Sequence, residues 1–412
     1  MTTLHTTSRG PAWEPIQVEV WSHDGQRLGH LGNYEDMTFT WVDRGPDLAV
    51  IEAALSPVVA PLISCDGTAL IAAHYGGRTH LSVPVEAQAA SGETPGAAMV
   101  TITSAGGWAL LDGQVIPPTL GDPLTEQLAE GYTLSGPLES VIKSIITQGA
   151  ERTGHPVVVM PDQGRGPTVT ATGAWETVGE TVRGLLAYSG YRLDMSGWVP
   201  GDPQPDPGLQ LSLPCVVAEF VPYRERQGLV WSVAGGDITE WSLTHKRAQA
   251  TRAVVGYETD DVTRRRYLEV QGQETASAWS IRESYVEQGE YKDIDEREPD
   301  PYRVLEAMES TGRSSLAKGG PALDMDVTME VSHIWDFGRD SGAPRYFDVG
   351  DRVEVVLPVL GNYSQVITEV SLHITPREFS ITPTVSTPDT LDTDIYAVLA
   401  DLAQRVTELE RN

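Results

Sequence analysis

Two serines in this chain stand three residues ahead of a lysine, Ser140 before Lys143 and Ser315 before Lys318. A lysine at that spacing can take the proton of a serine nucleophile, as in sites of the penicillin-binding type. That chemistry also requires companion SDN and KTG elements, and the sequence has neither. Both pairs fall in stretches with a helical apolar stripe, where positions i and i+3 share one solvated face. The nine histidines are scattered, without an HExxH, and there is no CxxC and no GxSxG elbow. His74 and His80 flank Gly76-Gly77, but no third ligand stands at metal spacing, so they read as turn-flanking surface histidines. The segment GRSSLAKGG, 312 to 320, lacks the GK[ST] order of a phosphate loop. Carboxylates abound, yet nothing singles out the positioned pair that glycoside hydrolysis needs. Arg264 to Arg266 form a short basic run that reads as a solvated strand or turn. No enzyme constellation emerges, and neither a cofactor nor a metal is expected.

The composition narrows the class. The chain has 412 residues, of which 58 are acidic and 29 basic, for a net charge of −29. A surface of that sign repels nucleic-acid phosphates and anionic lipid, so neither nucleic-acid binding nor stable membrane insertion is expected. Forty glycines and 28 prolines, with 40% hydrophobic residues, indicate a folded chain rich in strands and turns. Cys65 and Cys215 each sit in an apolar run and read as buried free thiols. The N-terminal stretch has no apolar h-region, which points to synthesis and retention in a cytoplasm.

The periodicity changes along the chain and predicts a mainly β protein with an α+β insert. Residues 1–118 read as strands and tight turns, with hairpin signals at Asp24-Gly25, Gly76-Gly77 and Gly106-Gly107. A β-barrel-like domain is expected there, because closure removes sticky sheet edges. Residues 119–228 read as a small α+β domain. One helix carries Leu138, Val141, Ile142, Ile145 and Ile146 and stops at Gly149; another carries Trp175, Val178, Val182 and Leu185. The stretch 197 to 208 is Pro/Gly-rich and reads as an exposed loop. Residues 229–385 return to strands and suggest a second barrel-like domain, interrupted by one helix from Pro301 to Gly312.

Residues 386–412 read as a C-terminal helix. Ile395, Leu399, Leu402, Val406 and Leu409 follow heptad a and d spacing, and Arg405 and Glu410 fall at g and the following e. The stripe spans barely two heptads, too short to hold a coiled coil by itself. Either it folds back on its own chain or it closes between copies already held together.

The order of several stretches carries a family resemblance. The opening QVEVWSHDGQRLGHLGNYEDMTFTWVDRGPDLAVIEAAL, the helix in SGPLESVIKSIITQG and the unit GAWETVGETVRGLLAYSGYRLDM come in that sequence. They are followed by WSLTHKRAQATRAVVGY, WSIRESYVEQGEY and YFDVGDRVEVVLP. This chain resembles the minor tail proteins of actinobacteriophage siphoviruses that form the tail-tip, or baseplate, hub. It departs where the family commonly has Asn-Pro-Gly and this chain has Asp43-Arg44-Gly45-Pro46. The resemblance implies a structural homotrimer whose two β-barrel domains form a pseudo-six-fold ring at the tip of a virion tail. Its partners would be itself, a tail tube or distal tail protein, and other tail-tip proteins. The rival readings are a host-receptor-binding protein and a tail-associated cell-wall hydrolase, for which too little chain follows the second β stretch.

Overall fold

Asp24-Gly25 turns the chain where the sequence predicts it, with Gly25 at φ +87°, a left-handed conformation that glycine adopts without strain. The turn joins β1 (Gln17–Ser22) to β2 (Arg27–His30). The structure, a computed structural model, describes residues 16–91, 98–187, 189–257, 266–272, 278–288, 305, 308–309, 311–313, 315–316, 322–329, 336–338 and 346–386. Next come β3 (Tyr34–Val42) and β4 (Pro46–Ala54). Gly76 and Gly77, at φ +56° and +72°, form the two-residue turn between β5 (Ala69–Tyr75) and β6 (Arg78–Ser91).

Gly106-Gly107 is not a hairpin. It ends β7 (Ala98–Gly107), which runs on into the short helix α1 (Trp108–Asp112). A Cβ on Gly106 would lie 2.1 Å from the carbonyl oxygen of Leu81, so glycine serves here to let β6 and β7 approach. The same correction applies twice more. After β8 (Tyr132–Pro137), helix α2 runs Leu138–Thr153 and is capped by Gly154 at φ +73°, not stopped at Gly149. Gly149 lies inside α2, where a Cβ would meet Gln114 at 2.4 Å and Val178 at 3.1 Å. Residues 311–313 and 315–316 are also helical, so Gly312 stops nothing; its Cβ would meet Val270 at 2.5 Å.

The α+β part continues with β9 (Val157–Val159), β10 (Thr168–Gly173), α3 (Val178–Leu186), β11 (Tyr191–Trp198) and β12 (Cys215–Pro222). A capping box at Thr177 and Glu180 starts α3, leaving Trp175 outside the helix and half exposed. The apolar faces of α2 and α3 pack with Trp108, Leu193 and Phe220 in one core cluster that also takes in Trp21 and Leu81 of the N-terminal strands.

The remaining strands are β13 (Arg224–Ser232), β14 (Ile238–Lys246), β15 (Arg252–Tyr257), β16 (Arg266–Gln271), β17 (Glu283–Gln288) and β18 (Ala322–Met329). They are followed by β19 (Asp336–Phe337), β20 (Tyr346–Phe347), β21 (Asp351–Leu357), β22 (Gly361–Ile374) and β23 (Phe379–Ser386). The main sheet runs β13-β21-β22-β3-β4-β7-β6-β5-β1-β2, with β23 also on β22. Both expected barrels therefore contribute strands to one sheet, and among the described strands no closed barrel is present. The cause lies in β3, whose residues 37 to 41 are buried on both faces, Thr38 and Thr40 included. A strand so buried is central and needs a partner on each side. It finds β4 on one edge and β22 on the other, with Leu372 opposite Phe39 and Ile374 opposite Met37. Aromatic side chains reinforce the union. Phe337 lies 5.0 Å from Trp41 and 6.0 Å from Phe347 between ring centroids, and Trp231 meets Phe347 edge-on at 5.5 Å.

The chain divides into two compact units, 1–241 with 326–412, and 242–325. In the second, β15 lies between antiparallel β16 and parallel β17, and Ala253, Val255, Val270, Met308 and Leu316 form its core. Among the described residues, no helix is long and apolar enough to cross a membrane.

The two kinds of helix and strand glycine separate on mutation. We expect Gly106→Ala to cost about 3 kcal/mol or more, because backbone must shift. Gly184→Ala, on the exposed side of α3 with nothing within 4 Å, should gain about 0.5–1 kcal/mol. Urea unfolding of both variants measures the two signs directly.

Candidate functional site

The turn between β3 and β4 holds Asp43 and Arg44, and both are buried. Arg44 takes φ +57°, unusual for a non-glycine residue, and the surrounding bonds hold it there. Its guanidinium donates to the carbonyls of Leu186 at 3.1 Å and Tyr191 at 3.3 Å, while Arg183 donates to the Arg44 carbonyl at 2.8 Å. The Asp43 carboxylate accepts from Arg192 Nε at 3.1 Å and from the Tyr223 hydroxyl at 2.6 Å. One turn thus plugs the N-terminal strands into the α+β part at five points. Burial, with the Asp43 charge added, pushes the Tyr223 phenol well above its ordinary range.

Arg78, directly after the Gly-Gly turn, reaches two carboxylates: Asp194 of β11 at 2.7 Å and Asp348, just before β21. Arg192 donates to the same Asp194 oxygen at 3.2 Å. Gly350 lets the chain pass this group, since a Cβ would lie 2.4 Å from the Arg192 side chain. Asp351 then accepts two bonds from Arg224, at 2.6 and 3.0 Å, and one from the Asp348 amide at 3.0 Å. Acids and bases alternate, so no buried charge in the chain Asp43–Arg192–Asp194–Arg78–Asp348 lacks an opposite neighbour. Ions removed from water are tolerable only in such an arrangement. Burial lowers the Arg78 pKa, but Asp348 and Asp194 outweigh it and hold the guanidinium above its normal range. Burial raises the Asp47 carboxyl to about 7 against the Val42 amide and Arg78, which pull it down.

Other charged groups are structural in the same sense. Lys143 does not share a solvated face with Ser140; it is buried, donating to Glu139 at 2.5 Å and to the Pro161 carbonyl at 2.9 Å. Arg165 adds two side-chain bonds to Glu139, each 2.9 Å. Burial would raise the Glu139 pKa, but the bonds from Arg165 and Lys143 hold it at about 2. His80 is buried too, 3.0 Å from the Leu48 carbonyl and edge-on to Phe39 and Trp41; burial lowers its pKa to about 4. His74 lines a cleft of about 770 Å³ with Glu19, Trp21, Trp198 and Asp202, 3.8 Å from Glu19 and 3.6 Å from Asp202. The Pro/Gly-rich loop forms one wall of it, tied down by Thr79 donating to Asp202 at 3.0 Å. Cys215 is buried and Cys65 half-buried, both unpaired. Among the described residues, no three His, Cys, Asp or Glu side chains are grouped to hold a metal.

The heptad residues Ile395, Leu399, Leu402, Arg405, Val406, Leu409 and Glu410 lie outside the described residues, as do Lys318, Arg264 and Arg265. The ion network was missed in the sequence. Its one legible signal is charge inside apolar strand patterns, as in YRLDM at Arg192 and Asp194.

This architecture is shared with known proteins of one kind. It matches the tail protein from Neisseria meningitidis MC58, with a TM-score of 0.50 and 11% identity over 90% of this chain and 96% of that one. It also matches the 43 kDa tail protein of prophage MuSo2 from Shewanella oneidensis, with a TM-score of 0.52 and 10% identity over 92% of this chain and all of that one. At such identities the likeness is one of fold, a tail-protein fold. A family model then narrows the class: that of siphovirus ReqiPepy6 Gp37-like proteins matches residues 17–385, and the chain belongs to this family. The siphoviral resemblance of the sequence therefore holds. No curated protein matches.

Breaking the network exposes its worth. Asp194→Ala leaves Arg78 and Arg192 each short of a partner and should cost about 3 kcal/mol or prevent folding. Arg313→Ala, which removes an exposed pair with Glu309, should stay within about 0.5 kcal/mol. Asp47 supplies a pH test. Its folded pKa lies above the unfolded value, so its ionisation removes stability as pH rises from about 4 to 7. The melting temperature of Asp47→Asn relative to the native chain should accordingly climb across that window and level off above it.

Proposed function

We propose that this protein is the structural hub of a phage tail tip. In this reading it is a homotrimer joining the six-fold tail tube, or a distal tail ring, to three-fold tip proteins. The observation that carries the reading is the siphoviral family match over residues 17–385, on a fold shared almost end to end with tail proteins. The buried network supports it, since a hub must transmit load without its segments sliding. The four segments 1–118, 119–228, 229–385 and 386–412 are retained as the modules of that hub. The two β stretches build the ring, and the terminal heptads act as a clasp between copies. Ile395, Leu399, Leu402, Val406 and Leu409 form the seam, with Arg405 and Glu410 pairing beside it. The role is non-enzymatic, needs no cofactor, and places the protein in the virion after synthesis in the host cytoplasm.

The mass in solution, by light scattering, tests this on the full chain and on a version ending at Ser386, the last residue of β23. We expect a trimer that dissociates on truncation. A trimer that survives keeps the hub and removes the clasp. Monomers in both would overturn intrinsic trimerisation and leave assembly to the tail partners.

A second reading, host-receptor binding, draws on the 242–325 unit. There Trp279 is 94% exposed, and Tyr267 and Tyr285 are more than half exposed. Exposed aromatic rings of this kind suit recognition. Binding of labelled protein to host cells that vanishes with Trp279→Ala would favour it over a hub touching only tail parts.

A further inference from the structure

The segment between α1 and β8 pairs with the rest of the chain at one isolated bridge, Val115 opposite Thr177, and beyond it the Gln127 side chain fixes the loop. Gln127 accepts from the Thr119 amide at 2.6 Å and donates back to the Thr119 carbonyl at 3.0 Å and to that of Asp122 at 3.1 Å. Held this way, the loop presents Leu124 at 53% exposure and Leu128 at 95%. Leucines on a preorganised loop lose little further entropy on binding a partner. Beside the loop, against α2, lies a groove of about 330 Å³ lined by Ile116, Leu120 and Ile145.

Carboxylates outnumber cations around this groove. Asp122 and Glu151 line it, and Glu126 and Glu130 stand exposed on the same loop. The one base in the lining, Arg152, donates to the Val115 carbonyl at 2.8 Å. Gln148 also lines the groove, and its Oε1 is shut off from solvent with no donor from the protein, while its Nε2 bonds Ser144.

We propose that this groove docks a different protein, through a segment that inserts an aliphatic side chain and sets a lysine or arginine beside it. The anchor would fill the space between Leu120 and Ile145, and the cation would meet the Asp122 and Glu151 carboxylates. In a symmetric pair of copies this rim would face itself, carboxylates against carboxylates, so a different protein is the better occupant. The docking goes beyond the hub reading and does not depend on trimerisation.

The test titrates the full chain, labelled at leucine and isoleucine methyls, with the capped peptide Lys-Leu-Leu-Lys and separately with Glu-Leu-Leu-Glu. We expect saturable shifts at Ile116, Leu120 and Leu124 with the lysine peptide only, weakened about fivefold in Glu151→Lys. That substitution is exposed and should leave folding intact, as unchanged methyl signals elsewhere would verify. Equal shifts with both peptides, or none with either, would overturn the proposal. Shifts that follow protein concentration without peptide would also overturn it, by making a second copy the occupant.

Discussion

The structure turns on the Arg78 guanidinium, held between Asp194 and Asp348 and buried with them. Residues 78, 194 and 348 come from the N-terminal strands, the α+β part and the C-terminal strands, so one side chain joins three distant segments. A hydrophobic contact between the same segments would tolerate a slip of an ångström; alternating buried charges do not, because each displacement strands an ion in low dielectric. The network is therefore better understood as a specifier of arrangement than as a source of net stability. Desolvation cancels much of the Coulomb attraction, and what remains is the large penalty for any other geometry.

Around that centre, close approach is achieved by glycine. Gly350 clears Arg192, Gly106 clears the β6 carbonyl at Leu81, and Gly149 lets α2 lie against Gln114 and Val178. Gly76 and Gly338 do the same for each other's backbone, where a Cβ on either would come within 2.5 Å of a carbonyl oxygen across the gap. These contacts let the aromatic series Trp41, Phe337, Phe347 and Trp231 close over the union of β3 with β22. Packing, backbone approach and charge pairing thus act on the same junction, and each narrows what the others leave open.

For a protein of a phage tail, such a junction has a mechanical meaning. Segments far apart in the chain share one sheet and one ion network, so force applied at one strand edge passes into hydrogen bonds and ion pairs throughout the unit. Surfaces remain available for partners. The stapled loop exposes Leu124 and Leu128, and the aromatic residues Tyr267, Tyr285 and Trp279 belong to the separate 242–325 unit.

Local chemistry was legible from residue order alone. Asp24-Gly25 and Gly76-Gly77 form the left-handed turns that their residue types favour, and the apolar spacing of 138 to 146 forms the helix that it predicts. The mainly β character and the siphoviral kinship follow from patterns of the same local kind. What only the tertiary structure decided is long-range. Gly106, Gly149 and Gly312 look like punctuation in sequence, but each is small because another segment passes close by, at Leu81, Gln114 and Val255, which lie 25, 35 and 57 residues away. Lys143 looks solvated until Glu139 and Arg165 enclose it. The two β stretches look self-sufficient until β22 takes the free edge of β3. A period of two records which face of a strand is buried; it holds no record of which strand lies alongside, because backbone hydrogen bonds are the same for every sequence.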